Sequence, residues 1–257
     1  MARFFLKACN AVVNLILVVA LILSGSYAVY ALWDNNLVLT AAEDVQADMI
    51  KLKPQVEENG EAVDTGPTFD ELLAINPDVC GWVSMTGTKI DHPILQGYDN
   101  LEYINKDVYG SFALAGSIFL DSRNDRNFQD SYSLLYGHHM TQSGMFGDLD
   151  QYKDAAFFRE NRTGMLILPE NIYDLEVISC LLVGASEDMI FDPGHAQADI
   201  EALLDYAQEN ALHLNADVLE TARQTENLQI LALSTCSTEF TDARTIVLTV
   251  MKPHTVS

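Results

Sequence analysis

The sequence predicts a mostly β fold with peripheral helices, preceded by a transmembrane helix. Aliphatic residues alternate over runs of strand length, most clearly over 228–235 and again over 244–250, which is typical of buried strands. Apolar residues recur at helical spacing over 199–212, which predicts an amphipathic helix. An uncharged stretch over 8–33 supplies the roughly 20 apolar residues that a spanning helix needs.

Length and charge limit the classes of protein that the chain can represent. Its 257 residues suit one sizeable domain with additional segments. Lysine and arginine total 14 against 37 aspartate and glutamate residues, giving a formal net charge of -23. This charge argues against a nucleic-acid partner, whose binding needs a basic surface. It favours solubility, with attraction of a cationic partner segment as the alternative.

The apolar N-terminal stretch predicts an uncleaved membrane anchor. Arg3 and Lys7 precede it, which predicts a cytoplasmic N-terminus, and Tyr30 and Trp33 suit the opposite membrane interface. A cleaved signal peptide is the alternative, with the small residues 24–26 as its cleavage site. The anchor is favoured because apolar and aromatic residues continue to Trp33. In either case the rest of the chain is expected outside the cell.

The chain divides into three predicted segments. Residues 1–33 form the cytoplasmic tip and the anchor, 34–67 form a tether, and 68–257 form the exported domain. The tether is predicted to be helical over 39–52 and loose over 53–66.

The elements of the exported domain follow from local patterns. Thr68 and Glu71 make a capping box for a short helix that ends before Pro77. Asp199 is suited to cap the helix over 199–212. Two strands are predicted over 81–95 about a turn at Gly87, and further strands over 117–120, 165–168 and 173–183. A helical turn is predicted over 100–104. A helix is predicted over 144–161, with Leu149, Tyr152, Ala156 and Phe157 facing inward.

A cysteine and an arginine are predicted to share one face of a hairpin near the C-terminus. Residues 237–243 connect the two last strands over a length that a hairpin allows. Antiparallel pairing then places Ser234, Cys236, Arg244 and Ile246 on the same side of the sheet. A cation beside a cysteine favours the thiolate form, which is the nucleophile.

A structural role is the alternative for any one of these cysteines, since free cysteines are often buried as small apolar side chains. Cys80 and Cys180 are expected to be reduced core residues of this kind, and Cys9 lies near the membrane. Cys236 differs because a second strand ends at a glycine and presents His138. The two form a nucleophile and base only if the fold brings them together, and the sequence does not give that distance.

A metal site is not expected. His138 and His139 are adjacent, so on a strand they point to opposite faces. The other histidines are scattered, and neither cysteines nor carboxylates have the spacing of zinc ligands. No phosphate-binding loop is present either, so no cofactor is predicted.

Six stretches of the chain form a recognisable series, in this order: Asn76-Pro77-Asp78-Val79-Cys80-Gly81-Trp82-Val83, Gly87-Thr88-Lys89-Ile90-Asp91-His92-Pro93-Ile94-Leu95-Gln96-Gly97, Gly116-Ser117-Ile118-Phe119-Leu120-Asp121, Tyr136-Gly137-His138-His139-Met140, Leu233-Ser234-Thr235-Cys236 and Asp242-Ala243-Arg244. Together they resemble the class B sortases of Gram-positive bacteria. The resemblance covers roughly 69–252.

The resemblance implies a closed β-barrel with a helix inserted before the cysteine-bearing strand. It also implies a cysteine transpeptidase in which Cys236 attacks a backbone carbonyl, His138 acts as general acid and base, and Arg244 binds the carbonyl or the oxyanion. The substrate-binding residues it suggests are Ser234, Tyr136, Asn100 and Ile104. For Tyr136 and Ile104, plain core packing is an equal alternative.

The implied substrate is the C-terminal sorting signal of a surface protein. The acceptor would be an amine of a lipid-linked peptidoglycan precursor or of a second, pilin-type protein. An L,D-type peptidoglycan transpeptidase is a weak alternative, because that family has a glycine directly before its cysteine and this chain has Thr235 there. A non-enzymatic binding module is the alternative of a different class.

Overall fold

The computed structural model describes residues 2–55, 68–140, 144–236 and 243–255. The chain forms two compact units, Met1–Ala41 and Ala42–Ser257. The first unit lies within the helix α1 (Ala2–Ile50). That helix is long and apolar enough to cross a membrane, and the large apolar side chains of its stretch 12–33 are exposed, with Leu21 exposed by 70%. The N-terminal apolar helix that the sequence predicts is therefore present.

The second unit consists of nine strands and several short helices among the described residues. The strands are β1 (Val79–Met85), β2 (Asp91–Leu95), β3 (Ile118–Leu120), β4 (Tyr132–His138), β5 (Thr163–Ile167), β6 (Ile172–Gly184), β7 (Ala211–Leu214), β8 (Ile230–Cys236) and β9 (Ala243–Pro253). The helices are α2 (Phe69–Ile75), the 3-10 helix Gly147–Lys153, α3 (Ala155–Glu160), α4 (Asp188–Phe191), α5 (Pro193–Ala198), α6 (Ile200–Asn210) and α7 (Ala216–Arg223).

Eight of these strands close into a barrel. The hydrogen-bonded order is β5-β1-β2-β3-β4-β8-β9-β6, and β6 pairs again with β5 to complete the ring. The short strand β7 extends from β6 outside the ring. Two of the pairings are parallel, β2 with β3 and β4 with β8. The mostly β, closed-barrel fold predicted from the resemblance is confirmed.

Both faces of the central strands are buried, which explains their nearly continuous aliphatic sequences. Consecutive side chains of a strand point to opposite faces. Leu135 of β4 and Leu233 of β8 face the barrel interior. Their neighbours Leu134 and Ala232 face outward, where helices α4 to α7 cover them. We call the outward faces of β4, β8 and β9 the outer wall.

The covering helices form an insertion between β6 and β8, which confirms the inserted helix that the resemblance implies. Asp199 caps α6 by accepting a hydrogen bond from the Ala202 amide at 3.0 Å. Leu203 and Leu204 of this helix are fully buried against the outer wall. The insertion also contains α4, α5, β7 and α7, which the sequence analysis did not assign.

Residues at the end of α1 belong to the barrel unit. Met49 is buried in a cluster with Trp82 of β1 and Leu72 of α2. Helix α2 begins after Thr68, whose amide donates to the Glu71 carboxylate at 3.3 Å, and it ends before Pro77 as predicted. The segment 42–50 therefore packs on the domain that the following strands form.

Two of the predicted helices need correction. The single helix expected over 144–161 is a 3-10 helix followed by α3, because the Asp154 side chain accepts the amides of Ala156 and Phe157 and starts a new helix. Ala156 is exposed rather than inward-facing. The helix expected to reach 212 ends at Asn210, because residues 211–214 pair with β6 instead.

Candidate active site

The parallel pairing of β4 with β8 brings the predicted base beside the predicted nucleophile. The register runs without a shift from Tyr132↔Ile230 to His138↔Cys236. Neighbouring strands lie about 4.8 Å apart, so the backbones of His138 and Cys236 are direct neighbours. The sequence alone did not give this proximity.

The antiparallel pairing of β8 with β9 brings Arg244 to the same edge. Its described ladder ends at Ser234↔Ile246, after Leu233↔Val247. The Thr245 amide also donates to the Thr235 hydroxyl at 3.2 Å, so strands β8 and β9 remain adjacent beyond the ladder. Continuing the same register by two residues places Arg244 opposite position 236.

These three positions lie at one end of the outer wall. Tyr136, Ser234 and Ile246 occupy neighbouring register positions on the same wall, two residues from His138, Cys236 and Arg244 respectively. Tyr136 stacks on Phe191 of α4, with ring centroids 6.5 Å apart. The inserted helices therefore border the strip of wall that leads to the three candidate catalytic residues.

His138 occupies a partly buried position with a fixed backbone. Its carbonyl oxygen accepts a hydrogen bond from the Phe146 amide at 3.0 Å. Its Nδ1 atom is buried and has no hydrogen-bond partner among the residues that the structure describes. Burial lowers the pKa of the His138 imidazole below its ordinary value. The ring is therefore predominantly neutral at neutral pH and suited to accept a proton.

Two of the predicted substrate-binding residues are joined through one buried carboxylate. Asp121 is fully buried, and its Oδ2 accepts hydrogen bonds from Asn100 Nδ2 at 2.9 Å and from Tyr136 Oη at 3.0 Å. Arg123 binds the same carboxylate through two nitrogens, at 2.9 and 2.8 Å. Burial would raise the pKa of the Asp121 carboxyl, but the Arg123 hydrogen bonds outweigh it and lower that pKa.

Arg123 extends this network to the insertion. Its Nη2 donates to the carbonyl oxygen of Phe191 at 2.6 Å. The side chain that neutralises Asp121 thereby also fixes the helix that stacks on Tyr136. Sequence reasoning missed both Asp121 and Arg123, although the Asp121 position was quoted in the resemblance.

The other two predicted substrate-binding residues have no contact with Asp121 among the hydrogen bonds described above. Ser234 is fully buried and its hydroxyl donates to the Thr235 carbonyl at 3.2 Å. Ile104 is partly buried and packs against the cluster that contains Trp82. Both lie near the wall that carries Tyr136, and their roles in binding remain predictions.

Cys80 and Cys180 are buried free cysteines, as expected. Burial raises the pKa of each thiol to about 12. Such thiols are poor nucleophiles at neutral pH, because the thiolate is the reactive form.

A second carboxylate lies behind the candidate site. Asp150 of the 3-10 helix contacts His139 and Thr245, the residues next to His138 and Arg244. Sequence reasoning missed Asp150 as well, since a single aspartate within a helix carries no distinctive signal. Among the residues described, no group of three or more histidine, cysteine or acidic side chains is arranged to bind a metal ion.

Curated relatives and a solved structure both place the similarity of this chain in one family. No protein-family model matches the sequence. The chain is 30% identical over 208 residues to a sortase B of Listeria monocytogenes, covering 81% of each protein. It is 27% identical over 252 residues to a sortase B of Staphylococcus aureus, covering 98% of this chain and 99% of that protein.

A solved structure extends the similarity to the fold. A class B sortase of Streptococcus pyogenes involved in pilus biogenesis superposes with a TM-score of 0.64 at 36% identity, over 72% of this chain and 97% of that one.

Proposed function

This chain belongs to the class B sortases, a family of cysteine transpeptidases, and we propose that it cleaves the sorting signal of exported surface proteins through a thioacyl intermediate on Cys236. The observation that carries the proposal is the register that pairs His138 with Cys236. Together with the family, it makes a non-enzymatic binding module and an L,D-type transpeptidase untenable.

In the first half-reaction the Cys236 sulfur attacks a backbone carbonyl carbon of the sorting signal. A neutral His138, which its lowered pKa favours, accepts the thiol proton as the carbon–sulfur bond forms. The imidazolium then protonates the amine of the departing segment as the peptide carbon–nitrogen bond breaks. The products are a thioester on Cys236 and a free C-terminal fragment.

Arg244 would stabilise the negative charge that develops on the carbonyl oxygen. A guanidinium is positively charged at every physiological pH, and a fixed cation helps most where charge forms in the transition state. The β8–β9 register supports this role because it brings Arg244 opposite position 236.

In the second half-reaction an amine resolves the thioester. The amine attacks the thioester carbon, His138 accepts a proton from its nitrogen, and Cys236 leaves as a thiolate that His138 reprotonates. The acceptor amine belongs either to a lipid-linked peptidoglycan precursor or to a pilin-type protein. The pilin-type acceptor is retained as an alternative because the Streptococcus pyogenes class B sortase is involved in pilus biogenesis.

We further propose that the substrate lies across the end of the outer wall, beside the insertion and next to the three catalytic residues. Tyr136 and Asn100 suit this role because Asp121 fixes both side chains. Ser234 and Ile104 would shape the floor beneath the peptide, consistent with their burial.

The enzyme is proposed to act at the outer surface of the membrane. Residues 1–33 would be the cytoplasmic tip and signal anchor, 34–67 the tether, and 68–257 the extracellular catalytic domain. The apolar N-terminal helix and the two cations that precede its apolar stretch support this orientation.

The test uses the full chain in detergent and a panel of fluorogenic peptides. The peptides cover the short motifs that precede an apolar span and basic residues at the C-termini of the host's surface proteins. At least one peptide should be cleaved, and a primary amine such as triglycine should be joined to the new C-terminus. Cleavage of no peptide in the panel, or cleavage that persists in Cys236→Ala, would contradict the proposal.

A further inference from the structure

We propose that Asp150 is a positioning residue that fixes the spacing of the catalytic strand ends from the opposite face of the sheet. The proposal rests on the proposed function, since it concerns the same three catalytic residues. It assigns a role to a carboxylate that the mechanism itself does not use.

The geometry of the strand ends supports this role. Alternate residues of a strand face opposite sides, so His139, Thr235 and Thr245 lie on the reverse of the wall that carries His138, Cys236 and Arg244. Each of these three reverse-face residues is the immediate chain neighbour of one catalytic residue. A contact that fixes the reverse-face residues therefore fixes the backbone of the catalytic ones.

One carboxylate joins two of the reverse-face residues. Asp150 Oδ1 accepts a hydrogen bond from Thr245 Oγ1 at 2.6 Å, and Asp150 Oδ2 lies 3.1 Å from His139 Nε2. The third residue is joined indirectly, because the Thr245 amide donates to Thr235 Oγ1 at 3.2 Å. The ends of β4, β8 and β9 are thus connected by side chains beyond the last described β8–β9 ladder pair.

Asp150 is itself well fixed. It lies on the 3-10 helix between Leu149 and Tyr152, both fully buried in the barrel interior. Lys153 Nζ also binds its Oδ1 at 2.7 Å. Burial would raise the pKa of the Asp150 carboxyl, but the hydrogen bonds from Lys153 and Thr245 outweigh it and lower that pKa. The carboxylate is therefore charged at neutral pH and acts as an acceptor for both contacts.

The strongest test removes the shortest contact without changing side-chain shape. Thr245→Val deletes the hydroxyl and keeps the β-branch, whereas Thr245→Ser keeps the hydroxyl. Thr249→Val is the matched control: Thr249 lies on the same strand and face, is fully buried, and donates its hydroxyl to the Leu231 carbonyl at 3.0 Å. The Thr249→Val variant loses a buried threonine hydrogen bond on the same strand, away from the site.

Each full-length variant is assayed for kcat and KM on the best-cleaved peptide of the panel, with a thermal melt alongside. Thr245→Val should lower kcat about tenfold or more with KM changed less than about twofold, since small displacements of catalytic groups cost rate rather than binding. Thr245→Ser should recover most of kcat. Thr249→Val should also lower the Tm and should keep its kcat.

A second arm tests that the threonine acts through the carboxylate. Asp150→Asn should lower kcat as Thr245→Val does, and the double variant should be no slower than the slower single variant, because residues in one contact are not additive. Independent, multiplying losses would overturn the proposal. Near-normal kcat in Thr245→Val, or an equal loss in Thr249→Val, would also overturn it.

These outcomes are separable from the proposed function itself. Turnover in Cys236→Ala would refute the catalytic assignment whatever Thr245 does. Absence of turnover in Cys236→Ala together with full activity in Thr245→Val and Asp150→Asn would refute only the positioning role.

Discussion

Replacing Gly137 with alanine should displace His138, because the space that a methyl group needs is already filled. Gly137 immediately precedes His138 on β4 and faces the barrel interior. A Cβ built there would lie 2.4 Å from Ile118 Cδ1 and 2.7 Å from both Cγ and Cδ2 of the Phe146 ring. All three distances are well inside van der Waals contact, and both neighbours are almost completely buried.

The expected cost follows from this crowding. Ile118 can shift its terminal methyl group, but the Phe146 ring is enclosed by the core and cannot turn away. Overpacking of this kind costs about 1–3 kcal/mol of the free energy of unfolding. For a domain of this size that corresponds to a Tm lowered by roughly 2–12 °C. A shift of β4 by about 1 Å would also lower kcat/KM by on the order of 10²-fold.

The assay is thermal melting of the full chain in detergent, followed by peptide cleavage well below the Tm. Gly184→Ala is the matched control, since Gly184 is also a strand residue and nothing lies within 4 Å of a Cβ there. Its Tm should change little. A Gly137→Ala variant with wild-type Tm and wild-type kcat/KM would refute the argument that packing behind β4 positions His138.

Further predictions concern the cation, the anchor and the other thiols. Arg244→Lys should lower kcat/KM by about 10²–10³-fold, as loss of one oxyanion donor does, because lysine lacks the planar fork of donors. Arg244→Ala should lower kcat/KM further, and both variants should keep the wild-type Tm. Near-normal turnover in Arg244→Ala would contradict the proposed role of Arg244. The full-length protein should stay in the membrane pellet after alkaline carbonate and be released by detergent, and a mature N-terminus near Tyr27 would instead show cleavage. At pH 8, iodoacetamide should label Cys236 well before Cys80 and Cys180, because burial raises the thiol pKa of each of those two residues to about 12. Equal labelling of all three cysteines would contradict the greater reactivity expected of Cys236.

Local patterns in the sequence predicted most of the elements. Burial of one or two faces of an element can be predicted from consecutive residues. The aliphatic runs of β6, β8 and β9 and the apolar spacing of α6 are examples. The capping box at Thr68 and Glu71 likewise depends on a few consecutive residues. These features could be predicted because their physical causes lie within one element.

The sequence pattern was less informative where distant segments compete. Residues 211–214 continue an apolar pattern but pair with β6, so tertiary pairing overrides helical spacing. The parallel pairing of β4 with β8 joins strands far apart in the chain, and the sequence analysis did not predict it. The contacts of Asp150 and Asp121 depend on which side chains the closed barrel brings together, and no local motif encodes them.

The central claim is that Cys236 carries the acyl group. The most direct measurement is intact mass spectrometry of the full chain, quenched in acid during turnover of a cleaved peptide, with fragment mapping of the adduct. We expect a mass increase equal to the N-terminal peptide fragment on Cys236, its loss on treatment with hydroxylamine, and no adduct in Cys236→Ala. An adduct on Cys80 or Cys180, or continued turnover by Cys236→Ala, would contradict the account.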